Sequence, residues 1–341
     1  MVMSLKNCRL EMLNRLLDLI WSQWTTIGVS GNTTVTEKWV LDPEALVIFT
    51  CHLGRYDPRV FDAMLEWIGV HQRFLNIQRL KVLNRKKGFT AGKLLSAIAH
   101  LMMKPSSRSK WERLADTLLE GNFRQEPLFF LKDGRPHPTP NRNDSAFQQA
   151  GLSRSEYRNR NVIFNFKADR SANLLLKLRA FFGVNSRCEI IAYLNTHPEA
   201  NPTEIARATG YSPKAIYNAM TDLYRSGAIL RRFKGRESMY SLRDKIWSPL
   251  LNSGKQPAKW MDWPEVYSLL ITLWNILDSM VQKNENESII TSEIILAWNR
   301  MLPDLQGPVR ITSEDFLSAG TAPGISTVCA GINDIVEILK R

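Results

Sequence analysis

Residues 202–227 read Pro202-Thr-Glu-Ile-Ala-Arg-Ala-Thr-Gly-Tyr-Ser-Pro-Lys-Ala-Ile-Tyr-Asn-Ala-Met-Thr-Asp-Leu-Tyr-Arg-Ser-Gly227. Asn201 ahead of Pro202 marks a helix start, and Gly210 lets that helix stop in a tight turn. Ser212 and Pro213 repeat the start signal, an N-cap followed by proline at the first helical position. Ala215, Ile216, Ala219, Met220 and Leu223 recur at helical spacing, so a second helix is predicted to about residue 226. Lys214, Asn218, Thr221 and Arg225 fall on its other face, with Tyr217 beside them.

The flanks extend the pattern. Residues 187–195 predict a preceding helix with Ile190, Ile191 and Leu194 inward. After Gly227, residues 228–233 alternate like a strand, 234–237 read as a turn, and 238–242 read as a return strand. Helix, helix, tight turn, helix and hairpin is an order that resembles the winged helix-turn-helix of bacterial transcription regulators of the arsenic-repressor and multiple-antibiotic-repressor type. The resemblance rests on 202–227, on Arg231-Arg-Phe-Lys-Gly-Arg236, on the small Ala206, on Gly210, and on the spacing of Ile216, Met220 and Leu223. It covers residues 186–242 of the 341 and leaves the rest unexplained.

The resemblance implies a sequence-specific double-stranded DNA-binding regulator, expected to be a repressor. Helix 212–226 would enter the major groove and the wing 231–240 would lie on the backbone or in a minor groove. A major groove about 12 Å wide admits one α-helix. Asn218 suits a bidentate bond to adenine, Lys214 a guanine or phosphate, and Ser212 and Tyr217 a phosphate. The expected DNA contacts are Thr203, Ser212, Lys214, Tyr217, Asn218, Thr221, Arg225, Arg231, Lys234 and Arg236. A homodimer is expected, because a two-fold protein reads a two-fold operator.

Charge points the same way. The net charge is +12, and it is uneven. Residues 71–113 hold eleven Lys or Arg against Glu112 alone, and 201–240 hold seven against three acids. The excess favours a polyanionic partner. Arg79, Arg85, Lys86 and Lys87 are the candidates to touch flanking DNA phosphates or an acidic partner surface. The helices predicted at 44–53, 58–70 and 76–86 offer a second, degenerate helix-turn-helix as an alternative use of that region.

The fold class is mainly α. An N-terminal helical domain is expected over 1–131, with helices starting at Asp42-Pro43 and Asp57-Pro58. Residues 132–182, opening on the proline-rich 132–145, read as a linker and basic lead-in. The central module spans 183–250. A Trp-bearing helical domain, 259–341, follows, and its apolar helix 264–281 is expected to be buried.

Other chemistry is excluded. Gly88-Phe-Thr-Ala-Gly-Lys93-Leu misses the P-loop spacing and its hydroxyl. Five scattered histidines show no metal-ligand spacing, so no metal, cofactor or enzymatic activity is expected. The four cysteines form no C-x-x-C pair, which predicts reduced thiols and no disulfide scaffold. No apolar run reaches the ~18 residues of a spanning helix, and the first fifteen residues lack a cleavage signal. A cytoplasmic protein without membrane contact is expected. A different class of function, an antitoxin-like module holding a partner protein through its helical domains, is the alternative.

Overall fold

Side-chain caps begin most of the early helices, as the sequence implies. Ser4, Asp42, Asp57 and Asn76 each accept a backbone N–H from the first turn they precede, and proline follows both aspartates. The computed structural model describes residues 4–85, 89–103, 108–118, 125–138, 142–251, 257–318 and 324–340. Among them the chain is mainly helical. The first helices are α1 (Leu5–Thr26), α2 (Pro43–Leu53), α3 (Pro58–His71), α4 (Ile77–Leu83), α5 (Gly92–Met102), α6 (Arg108–Leu118) and α7 (Ser145–Gln149). A minimal parallel pair, β1 (Glu126–Pro127) with β2 (Leu152–Ser153), flanks α7.

Next come α8 (Leu174–Phe182), α9 (Ser186–Thr196), α10 (Pro202–Thr209) and α11 (Pro213–Arg225). The antiparallel hairpin β3 (Ile229–Lys234) and β4 (Glu237–Leu242) leads to α12 (Asp244–Leu251). The chain closes with α13 (Trp263–Gln282), α14 (Glu287–Met301), α15 (Gly307–Ser318) and α16 (Ile325–Lys340).

The domain boundaries expected at the two ends are corrected by the packing. One hydrophobic core takes side chains from Cys8 through Leu176 and again from Met261 through Leu339. Helix α1 packs on α13 and α16, and α13 also packs on α2. The two ends therefore build one helical body, because each presents an apolar face that only the other covers. The expected 132–182 linker is also folded into it. Phe147 and Leu176 lie in that core, and Arg9 donates to the Lys132 carbonyl at 2.6 Å. The expectation of reduced thiols fails at one pair: Cys8 on α1 and Cys329 on α16 form a disulfide, while Cys51 and Cys188 are free and buried. Their separation of 321 residues hides the pairing from any spacing rule.

The central helices and hairpin keep a smaller core of their own. Ile190, Leu194, Ile205, Ile216, Met220, Leu223 and Ile229 meet there. A third cluster, containing Val40, Leu178, Cys188, Ile191 and Trp247, joins this module to the body.

Candidate nucleic-acid interface

The module is built by local signals. Asn201 caps α10 and exchanges hydrogen bonds with Glu204 in a capping box. Gly210 ends that helix at φ +73°, a left-handed conformation that favours glycine. Ser212 then caps α11 by accepting from the Ala215 N–H at 3.3 Å. The β3–β4 hairpin turns through Gly235 at φ +63° and Arg236, between the paired Lys234 and Glu237. Ala200 bridges Tyr240 and so ties the hairpin to the α9–α10 connection.

Burial sorts the faces of α11. Ile216, Ala219, Met220 and Leu223 are inward. Lys214, Tyr217, Asn218 and Arg225 are exposed, as is Thr203 on α10. Thr221 is half-buried, and its hydroxyl donates to the Tyr217 carbonyl, so it is committed to its own helix. On the hairpin Arg231, Lys234 and Arg236 are exposed. Arg231 is tethered: it donates to Ser238 Oγ at 2.7 Å, and its guanidinium stacks 4.7 Å from the Phe233 ring. Arg232 is paired with Glu199.

The acids nearby are already engaged. Glu204 serves the capping box, Glu237 accepts from Asn201, and Asp222 holds Arg187 of α9 at 2.9 Å. Lys214, Arg225, Lys234 and Arg236 form no ion pair among the described residues. The outer face of α11 and the hairpin tip therefore carry uncompensated positive charge. Sequence reasoning passed over Arg207, Tyr224 and Leu230, all exposed on the same module, and Phe233 is exposed there too. For Arg207 the available signal was its position outside the apolar stripe of α10.

Arg79 does not belong to this surface, and the phosphate contact expected of it is corrected. Its side chain is 4% exposed and chelates Asp42 at 2.5 Å and Glu44 at 2.9 Å. It also donates to the Thr209 carbonyl at 2.6 Å. Arg179 is fully buried beside it, bonded to Glu44 at 2.7 Å, Glu189 at 2.6 Å and the Phe74 carbonyl at 2.7 Å. Asn76 donates to the Tyr211 hydroxyl at 2.6 Å. This cluster locks α2, α4, α8, α9 and the α10–α11 turn together. Burial disfavours the charged form of Arg79, but Asp42, Glu44 and Glu189 outweigh it and raise its pKa. Burial also dominates at Glu189 and holds its carboxyl above the ordinary range despite Arg179 and Arg79. Burial opposes ionisation of Asp42 too, but there Arg79 wins and the pKa is lowered.

The rest of the basic segment divides. Arg85 is exposed and remains available, while Lys86 and Lys87 lie outside the described residues. Lys110 donates to the Gln72 carbonyl at 2.5 Å and Lys93 lies 3.8 Å from Glu126, so part of that charge is used inside the fold. In the region of the second, degenerate helix-turn-helix, ten of the eleven residues of α2 are buried, and α4 spans seven residues with Arg79 turned inward.

Among the described residues, no three His, Cys, Asp or Glu side chains gather as a metal site requires, and no helix is long and apolar enough to cross a membrane. Comparison of the chain with protein-family models, curated proteins and solved structures returned no match.

Proposed function

We propose that the chain is a sequence-specific double-stranded DNA-binding transcription regulator, a repressor that acts as a homodimer in the cytoplasm. One observation carries the reading. An exposed helical face with Lys214, Tyr217 and Asn218 stands beside a hairpin tip with Lys234 and Arg236, and the neighbouring acids are engaged elsewhere. The order of three helices and a hairpin, with Gly210 in the turn, supports a winged helix-turn-helix. In that reading α11 lies in the major groove, with Asn218 and Lys214 towards base edges and Tyr217, Ser212 and Arg225 towards phosphates. The hairpin follows the backbone or an adjacent minor groove through Lys234 and Arg236. Arg85 is a further phosphate contact.

The test is fluorescence anisotropy on the DNA upstream of the protein's own coding sequence, against a scrambled duplex of equal length, at two salt concentrations. Specific regulation predicts binding tighter by ~10³-fold or more on the upstream DNA. Equal affinities with a steep salt dependence would reduce the surface to a general cation patch and favour the partner-protein alternative.

A further inference from the structure

A wide cleft lies away from α11. It has a volume of about 1320 Å³ and opens between α3, the β1–β2 pair and the irregular strap that follows β2. The strap has no regular secondary structure between 156 and 162, yet its backbone is pinned on both sides of Arg158. The Tyr157 N–H donates to Asp144 at 2.9 Å, and the N–H groups of Arg160 and Val162 donate to the two oxygens of Glu66 at 2.9 and 2.6 Å. Both carboxylates are buried. Burying carboxylates is costly unless their hydrogen bonds are met, and here the strap supplies them. The result is a loop held in one shape that presents Arg158, Asn159 and Arg160 to the cleft.

The charges in the cleft do not cancel. Arg154 is neutralised by Asp62 at 2.8 Å and packed among Phe129, Phe147 and Tyr157. Glu126 lies 3.7 Å from Arg55 and 3.8 Å from Lys93. That leaves Arg142, Arg158 and Arg160 without an ion pair among the described residues, against Glu156 alone. Guanidinium groups in this state are matched by phosphate oxygens, which they bind in a bidentate fashion. The rest of the lining mixes apolar Pro58, Pro127, Pro136, Pro138 and Phe129 with neutral polar side chains such as Gln125 and Asn143. The cations are gathered on the strap and on Arg142, next to Asn143, which bridges Ser155 at the base of the strap, and do not run as a track. That grouping suits a compact ligand with its phosphates at one end, whereas a continuous strand needs cations along its length.

We propose that this cleft binds a nucleotide-sized small molecule through its phosphate groups, held by Arg158 and Arg160 of the strap and by Arg142 of the segment paired beside it. This site is independent of the surface on α11, and its ligand would act on the protein as an effector.

Calorimetric titration of the full chain with ATP, inorganic pyrophosphate and the single strand dT10 tests it. ATP and pyrophosphate are expected to bind with Kd between about 1 μM and 1 mM. The double substitution Arg158→Ala/Arg160→Ala should weaken both by about 10-fold or more. Arg142→Ala, on the segment paired with the base of the strap, should do the same. These side chains carry no packing load, so the melting temperature should stay unchanged and the DNA affinity without ligand should match the parent. No heat with ATP or pyrophosphate at millimolar concentration would overturn the proposal. So would binding that survives both substitutions, or binding of dT10 without either phosphate probe.

Discussion

Replacing Arg179 with methionine should destabilise the protein more than any single change on its surface. The side chain is fully buried, and four of its hydrogen bonds go to Glu44, Glu189 and the Phe74 carbonyl at 2.6–2.9 Å. Asp42, Glu44 and Glu189 face Arg79 and Arg179 in the cluster, so the formal charge is −1 and falls to −2 in the variant. Methionine refills part of the volume but leaves Glu44 and Glu189 under-paired. Breaking a buried pair in this way costs about 3–5 kcal/mol. At about 2–3 °C per kcal/mol for a chain of this size, the melting temperature should fall by roughly 10 °C. The loss should shrink on acidification. A carboxyl whose folded pKa lies above its unfolded value destabilises the fold when ionised, and Glu189 already stands in that state. The penalty is therefore largest above the folded pKa and is relieved as pH drops towards 4.5, the ordinary value. Urea unfolding at pH 7.5 and pH 5, for the single variant and for Arg179→Met/Glu189→Met, reads both effects. The double variant should be more stable than the single one, since it removes the stranded charge. A cost below about 1 kcal/mol at pH 7.5, the range of an exposed ion pair, would refute the account of the cluster.

The other expectations concern different parts of the molecule. Asn218→Ala should cost about 1–3 kcal/mol on the specific site and relax preference at one base pair, whereas Lys234→Ala should weaken all duplexes alike and lower the salt slope by about one; equal loss on every sequence for Asn218→Ala would remove its base-reading role. His52 is pushed down to about 4, first by burial and then by Arg55. Its neutral form is the folded one, so stability should be complete above pH 6.5, the ordinary value, and fall by up to about 3 kcal/mol as pH drops towards 4. Thermal melts of His52→Gln across that range should show a flatter profile, and identical profiles would exclude His52 as the source. Thiol titration of the unreduced, unfolded chain should find two reactive groups, Cys51 and Cys188; four would contradict the Cys8–Cys329 bond.

Helix boundaries were legible because their signals are local. Asp42-Pro43, Asp57-Pro58 and Ser212-Pro213 each start a helix at the expected residue, and Gly210 stops one. The exposed residues of α11 were legible for the same reason, since Lys214 and Asn218 fall about half a helical turn from Ile216 and off the stripe it shares with Met220. Arg79 was misplaced because it sits in a run dense with cations and its partners Asp42 and Glu44 lie 37 and 35 residues away. A signal was present: Leu83 lies four residues after Arg79 and Asn76 three before it, which puts Arg79 on the inward face of α4. Arg179, next to Leu175, Leu176 and Leu178, carries the same mark. The shared core and the disulfide had no such mark, because which distant apolar faces meet is set by packing and not by period.

The closure of the body by its two ends bears on how the module works. A segment inserted into one core at both its ends has little freedom to tilt, and here the α10–α11 turn is also gripped from within. Arg79 holds the Thr209 carbonyl and Asn76 holds the Tyr211 hydroxyl, on either side of Gly210. Both grips come from the start of α4, which is itself bonded to the carboxylates of α2 and its cap and packs on α2 and α6. Moving α11 relative to the body therefore requires moving α4 or breaking bonds to buried charges, each costing several kcal/mol. The body also bears on α11 through α9, which packs on both α8 and α11 and shares the cluster around Val40 and Trp247. The strap on α3 reaches towards α4, since the Phe164 carbonyl lies 3.2 Å from His71, and Phe166 packs on Phe74, two residues before Asn76. The strap therefore ends against His71 and Phe74, two residues short of Asn76, so it borders the segment that grips the α10–α11 turn without touching the grips themselves.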